Sequence, residues 1–248
     1  MDEAPKPYVC EELDARSLHF STSAIQSRMH LLRPDALELE YTRLMMGWLM
    51  LRPLAKRLAM IGLGGGSIAK FCHRYLPQTS MLAVEIDPRV IAFRVAFQMP
   101  PDDTRLRVVC ADGARFVAAT DDRFDVLMVD AFEAEGMPAA LGAQHFYDDC
   151  HDALAVDGLL VVNLHANDPQ RLVYVDRIAR SFGHRTLCVD DKGGSNSVVF
   201  AAKGEALTRA AQGVLRKPAA LSEGAWAQLR DEFSRVASAL QRAAHAAR

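Results

Sequence analysis

The stretch Leu58-Ala59-Met60-Ile61-Gly62-Leu63-Gly64-Gly65-Gly66-Ser67 constrains the chain more than any other: an apolar run breaks into a glycine cluster and then turns helix-like. Glycine lacks a Cβ and tolerates positive φ, so a strand can bend sharply into a helix here with its backbone close against a ligand. A second apolar run, Met81-Leu82-Ala83-Val84, closes on Glu85. The separation of that acid from Gly62 is near the ~20 residues expected for a carboxylate that holds a ribose. Glycine also collects in turns for conformational reasons alone. The acid at the end of the next strand is what favours a pocket for a nucleoside-containing cofactor.

The dinucleotide pattern G-x-G-x-x-G would need a glycine where Ser67 stands, whereas Gly62-x-Gly64-x-Gly66 fits the G-x-G-x-G of S-adenosylmethionine-type folds. A nicotinamide reading therefore falls behind. Around this centre short apolar runs alternate with helical stretches: strands near 58–63, 80–85, 106–110 and 124–129, helices near 67–75, 88–98 and 113–119. A helix near 143–154, a buried strand at 159–164, a helix near 169–182 and strands at 186–190 and 197–202 follow, the last two joined by Gly193-Gly194 as a hairpin. The alternation predicts an α/β, doubly wound, mostly parallel seven-stranded Rossmann-like sheet with an antiparallel final strand. Ligands in such sheets bind at the carboxyl ends of the strands, where residues 62–66, Glu85, Asp112 and Asp130 collect.

Ahead of this unit, residues 1–16 read as a loose arm, and Leu18–Phe20 with Ile25–Met29 as a small hairpin. Leu37, Tyr41, Leu44, Met45, Trp48 and Leu49 recur at the spacing of one helix with a buried face, ended by Arg52-Pro53. On that spacing alone Tyr41 and Trp48 read as core. The alanine- and charge-rich stretch from 205 onward reads as helix. The expected parts are thus an N-terminal arm, hairpin and helix (1–56), the S-adenosyl-binding catalytic unit (57–204) and a helical tail (205–248).

Composition narrows the partners. With 248 residues, half of them hydrophobic, the chain can bury a large core. A net charge of −2 without a basic stripe argues against nucleic acid. No run reaches the ~18 apolar residues of a membrane span, and Met1 to Pro7 has no signal-peptide core. Cytoplasmic residence is expected. The five cysteines stand singly, with no metal-site spacing, so no metal is expected. Cys110 and Cys188, in apolar strand-like runs, read as small hydrophobes.

Two strand ends carry acids with chemical potential. Asp112, in Cys110-Ala111-Asp112-Gly113-Ala114, can accept a hydrogen bond from an adenine amino group or cap the next helix, and both can hold at once. Asp130, ending Val126-Leu127-Met128-Val129, is placed to take a proton or hold a cation. Glu133 and Glu135, in the loop after it, read either as functional acids or as solvated charges.

These residues together resemble the polyamine aminopropyltransferases (spermidine synthases) and their bacterial spermidine synthase-like relatives, over roughly residues 18–202. The carriers are Ile61-Gly62-Leu63-Gly64-Gly65-Gly66-Ser67, Val84-Glu85-Ile86-Asp87-Pro88, Ala111-Asp112-Gly113-Ala114-Arg115-Phe116, Val129-Asp130, His145-Phe146-Tyr147 and Gly193-Gly194-Ser195-Asn196. The resemblance implies transfer of an aminopropyl group from decarboxylated S-adenosylmethionine to an amine, leaving methylthioadenosine. It also implies donor contacts at Gly62, Gly64, Gly65, Gly66, Glu85, Asp112 and Gly113, with Asp130 as catalytic carboxylate. Gln26, Tyr41 and Glu133 would face the amine, and the chain would form a homodimer through its N-terminal hairpin and apolar first helix.

Several positions depart from the family pattern. Gly65 stands where the family's glycine loop usually has an aspartate, and Thr42-Arg43 follow Tyr41 in place of His-Glu. Asp130-Ala131-Phe132-Glu133 replaces Asp-Ser-Ser-Asp-Pro, and no Gly-Pro-Ala run follows. Intact S-adenosylmethionine, used by a methyltransferase of the same fold, is the alternative donor reading. A non-catalytic nucleoside-binding or dimerisation module is the third.

Overall fold

The computed structural model of the chain describes residues 6–21, 25–132, 136–213, 216–219 and 221–246. It begins with three strands, β1 (Tyr8–Glu11), β2 (Ala15–His19) and β3 (Ile25–His30), paired antiparallel in that order. The expected hairpin is thus a three-stranded sheet, and the expected loose arm supplies its first strand. The unpaired edge of β2 offers backbone partners to residues 8–11, and the Tyr8 and His19 rings stack at 5.3 Å across the pair.

Two short helices follow, α1 (Glu40–Met45) and α2 (Trp48–Leu51), where one was expected. The break falls at Gly47. A Cβ there would lie 3.0 Å from Phe200 Cζ and from Val236 Cγ2, so a glycine fits between the sheet and the C-terminal helix.

The alternation then runs β4 (Arg57–Ile61), α3 (Ser67–Tyr75), β5 (Ser80–Glu85), α4 (Pro88–Ala92), β6 (Leu106–Cys110), α5 (Gly113–Ala119), β7 (Phe124–Val129), α6 (Ala139–Gly142), α7 (Gln144–Ala153), β8 (Leu154–His165), α8 (Arg171–Ser181), β9 (Thr186–Asp190) and β10 (Asn196–Ala202). The seven strands form one sheet in the order β6-β5-β4-β7-β8-β10-β9. β4 to β8 pair in parallel, and β10 runs antiparallel to both neighbours. This is the doubly wound α/β architecture expected from the alternation. The helix expected over 88–98 is shorter: α4 stops at Ala92, and turns carry the chain to Gln98 at φ 52°.

Each central strand is apolar on both sides because both sides are covered. Leu58, Met60, Met128, Val161 and Phe200 face a core shared with α1, α2, α3 and the C-terminal helices α9 (Ala206–Ala211) and α10 (Glu223–Ala246). Their strand neighbours Ala59, Ile61, Leu127, Val129, Val162 and Val199 face Phe146, Tyr147, Ile178 and Phe182 from α7, α8 and the turn after α8. This is the period-two alternation of a pleated strand. The apolar face of α1 and α2, including Leu44, Met45, Trp48 and Leu49, lies within the chain's own core. Cys110 and Cys188 are exposed, contrary to their reading as small hydrophobes: β6 and β9 are the two edge strands, where one side of the pleat stays open.

Candidate active site

The carboxyl ends of β4, β5, β6, β7 and β8 open into a cavity of about 710 Å³, roofed on one side by β3 and α1. Its walls begin at the glycine loop. Gly62, at φ 91°, donates its N–H to the Val84 carbonyl at 2.8 Å, and a Cβ there would sit 2.0 Å from the Asp130 carbonyl oxygen. No other residue type fits that approach of β4 to β7. Gly64 also lines the cavity, and Ser67 and Ile68 open α3 beside it.

Gly65 and Gly66 are placed one layer behind the lining. A Cβ on Gly65 would meet Phe97 Cδ1 and Ser27 Oγ at 2.7 Å, and one on Gly66 would meet Met99 Sδ at 2.2 Å. Their bare backbone makes room for protein. Phe97 and Ser27 thereby occupy the space into which an aspartate at 65 would have to reach.

Glu85 is 8% exposed, and its carboxylate is doubly engaged: Oε2 accepts from Leu63 N at 2.9 Å and Oε1 from Asp87 N at 3.0 Å. Each oxygen keeps a second lone pair for a ribose hydroxyl. Asp112 caps α5, accepting from Arg115 N at 3.0 Å, and lines the cavity as well. Gly113 follows it in the lining, where a Cβ would strike Ile61 Cγ2 at 2.3 Å. The capping reading of Asp112 thus holds, and its side chain also faces the cavity.

At the opposite wall Asp130 stands just past β7, its N–H bonded to the Ile61 carbonyl at 2.9 Å. Asn163 of β8 donates Nδ2–H to Asp130 Oδ1 at 3.0 Å. The Tyr41 hydroxyl lies in hydrogen-bonding reach of the same carboxylate, with the Gln26 carbonyl 3.5 Å away as a competing acceptor. Burial pushes the Asp130 carboxyl up to about 6, against the pull of the Asn163 and Tyr41 donors. Burial and the Asp130 charge together hold the Tyr41 phenol well above its ordinary value, so it stays a proton donor. Gln26, on β3, lines the cavity near them. Glu133 lies outside the described residues.

Beyond Asp130 the wall turns aromatic and apolar, with Phe20, Phe132, Pro138 and Leu141. The Phe132 and His165 rings stack at 4.0 Å and 12°. Burial holds the His165 imidazole below its usual value, partly opposed by Asp168. Among the described residues the carboxylates in the lining are Glu85, Asp87, Asp112 and Asp130, and the guanidinium there, Arg89, is ion-paired with Asp87 at 2.7 Å. The cavity therefore favours a cationic ligand. Among the described residues no cluster of His, Cys, Asp and Glu could hold a metal ion.

Residues 38–170 match the model of the spermine/spermidine synthase domain, more than half of the chain. A polyamine aminopropyltransferase from Neisseria meningitidis is 37% identical over 199 residues, covering 79% of this chain and 76% of that protein. A Chromobacterium violaceum polyamine aminopropyltransferase is 37% identical over 188 residues, covering 75% and 72%. The chain belongs to the spermine/spermidine synthase family. Its fold agrees with solved members: a probable spermidine synthase from Corynebacterium glutamicum superposes with a TM-score of 0.68 at 18% identity, covering 83% of this chain and 82% of that one. A spermidine synthase in complex with the transition state analogue AdoDATO does so at 0.61 and 21%, covering 90% and 87%.

The cavity includes residues that motif reading passed over. Asn163 and His165 break the apolar run that β8 carries from Leu159, and Asn163 is only 2% exposed. A polar side chain inside a buried strand is a signal the sequence does carry. Phe20, just past β2, has no comparable sequence mark.

Proposed function

We propose that the chain transfers an aminopropyl group from decarboxylated S-adenosylmethionine to an amine, with Asp130 as proton acceptor. The observation that carries this reading is one cavity with the glycine loop and Glu85 on one wall and the Asp130–Asn163–Tyr41 group on the other. Gly62 and Gly64 lie against the donor's backbone-facing side, Glu85 accepts from its ribose and Asp112 from its adenine. The cationic sulfonium suits a lining rich in carboxylates. Intact S-adenosylmethionine would bring an extra carboxylate to that wall, and the lining cation that could receive it, Arg89, is already paired with Asp87.

An alkyl amine has a pKa near ~10 and is mostly protonated at neutral pH, so its lone pair must be freed. Asp130, with its pKa of about 6, is ionised at neutral pH yet basic enough to take a proton as bonding changes. Nitrogen bonds to the carbon next to sulfur, the C–S bond breaks with its electron pair going to sulfur, and the nitrogen's proton passes to Asp130. The sulfur leaves as the neutral thioether of methylthioadenosine. Tyr41 and Asn163 fix the carboxylate's direction by donating to it. Incubation with decarboxylated S-adenosylmethionine and putrescine tests the reading: methylthioadenosine release that needs both supports it, and methyl transfer from intact S-adenosylmethionine instead refutes it.

A cytoplasmic homodimer completes the proposal. All five cysteines are free, as a reducing compartment requires. With the α1–α2 face used internally, the N-terminal sheet, with Tyr8, Leu13, Ile25 and Leu32 exposed on its strands and turns, offers the surface for a second copy. Light scattering at micromolar concentration checks this, a monomer being the contrary result.

A further inference from the structure

We propose that His165 is a specificity residue that receives the far amine of a short diamine, so that the site tells diamines from monoamines. The assignment rests on the aminopropyl-transfer reading and adds a residue to it. His165 and Asn163 are two apart on β8 and both line the cavity, as residues on one face of a strand must. That separation is one pleat repeat, about 6.6 Å along the strand. Asn163 is the residue that holds the Asp130 carboxylate, so the imidazole lies one repeat along β8 from the side chain bonded to the proton acceptor. Asp130 and His165 open onto the same cavity, so a short diamine with its near nitrogen at Asp130 meets the imidazole with its far one.

The chemistry at His165 suits that far nitrogen. Among the described residues none hydrogen-bonds the ring, which leaves a nitrogen lone pair available while the imidazole is neutral. Stacking on Phe132 fixes the ring plane, and the Phe132 π-face adds attraction for a cation. The far amine arrives as an ammonium and donates one N–H to the imidazole. Among the described residues Asp168, in the loop after β8, is the charge acting on the imidazole, and Asp130, just past β7, lines the same cavity; both attract the same ammonium. A neutral acceptor flanked by carboxylates binds a cation without adding a further buried charge. The apolar stem between the two nitrogens lies along Phe132, Pro138 and Leu141.

The test compares putrescine with n-butylamine, which has the same carbon chain and lacks the far nitrogen. His165→Phe keeps a ring against Phe132 and removes the acceptor; His165→Gln restores an acceptor without the ring. For putrescine, His165→Phe should raise KM by about tenfold to a hundredfold, the loss of a hydrogen bond to a charged group, while kcat changes less than about threefold. With n-butylamine the same variant should differ from the parent by less than about threefold, and His165→Gln should recover part of the putrescine KM. Methylthioadenosine binding equal to the parent's verifies the fold of each variant. An equal loss for both amines, or an unchanged putrescine KM, overturns the role of His165. Failure of the parent to use any amine overturns the transfer reading itself, and the assignment with it.

Discussion

At the donor end of the cavity the groups placed to meet a nucleoside also hold the fold together, whereas at the acceptor end they are side chains with little structural duty. Glu85 ties the glycine loop to the turn before α4 through Leu63 N and Asp87 N, and Asp112 caps a helix. Gly62 and Gly113 are gaps that let β4 meet β7 and α5 meet β4. Asp130 takes a side-chain donor from Asn163, with the Tyr41 hydroxyl in reach of the same carboxylate. Binding and stability should therefore fall together at the donor end and separate at the acceptor end.

The largest separation is expected at Asp130. Asp130→Asn should lower turnover by about 10²–10⁴ while donor affinity, read by calorimetry, stays within about twofold. Its thermal midpoint should not fall. The folded carboxyl titrates at about 6, above its value of 3.8 in the unfolded chain, so folding favours the protonated form. That stabilising preference is lost as pH rises from the unfolded to the folded value, and an amide at this position is free of the cost of ionisation above it. A variant that melts much earlier than the parent would break the contrast between the two ends.

Glu85→Ala should show the opposite coupling. Donor affinity should weaken by about 1.5–3 kcal/mol, and the melting temperature should drop as the Leu63 and Asp87 N–H groups lose their acceptor. Weakened binding with an unchanged melting temperature would show that the carboxylate does not hold the loop. A smaller effect belongs to Asn163→Leu, which removes a donor from Asp130 and should cut activity near neutral pH by about three- to tenfold through a carboxyl that ionises later. Tyr41→Phe removes the weaker of the two donors and should act in the same direction by less, with recovery at higher pH.

The donor end was legible in the sequence because it is written in backbone requirements. Glycines at sharp approaches and acids at strand ends are local marks, and the alternation around them fixes a parallel sheet whose carboxyl edge is the site. Even so, sequence does not show that the missing Cβ of Gly65 and of Gly66 leaves room for Phe97 and for Met99. The acceptor end was legible only in part, because Tyr41, Asp130 and Asn163 meet through pairing of distant segments. Tyr41 shows what periodicity leaves out: its ring packs against the core as its helical spacing predicts, and it lines the cavity as well. The β1 strand escaped notice for a similar reason, since its residues are held by an edge they pair with rather than by an apolar pattern of their own.

The proton-accepting role of Asp130 is tested most directly by the pH dependence of kcat/KM for putrescine in the parent and in Asp130→Asn. The base must be ionised to act, so the parent's rate should rise with pH through an acid limb near the carboxyl's value of about 6. The variant, with no carboxyl to titrate, should be slow and lack that limb. The same limb in both proteins, or equal rates above it, would contradict the assignment of Asp130 as the proton acceptor.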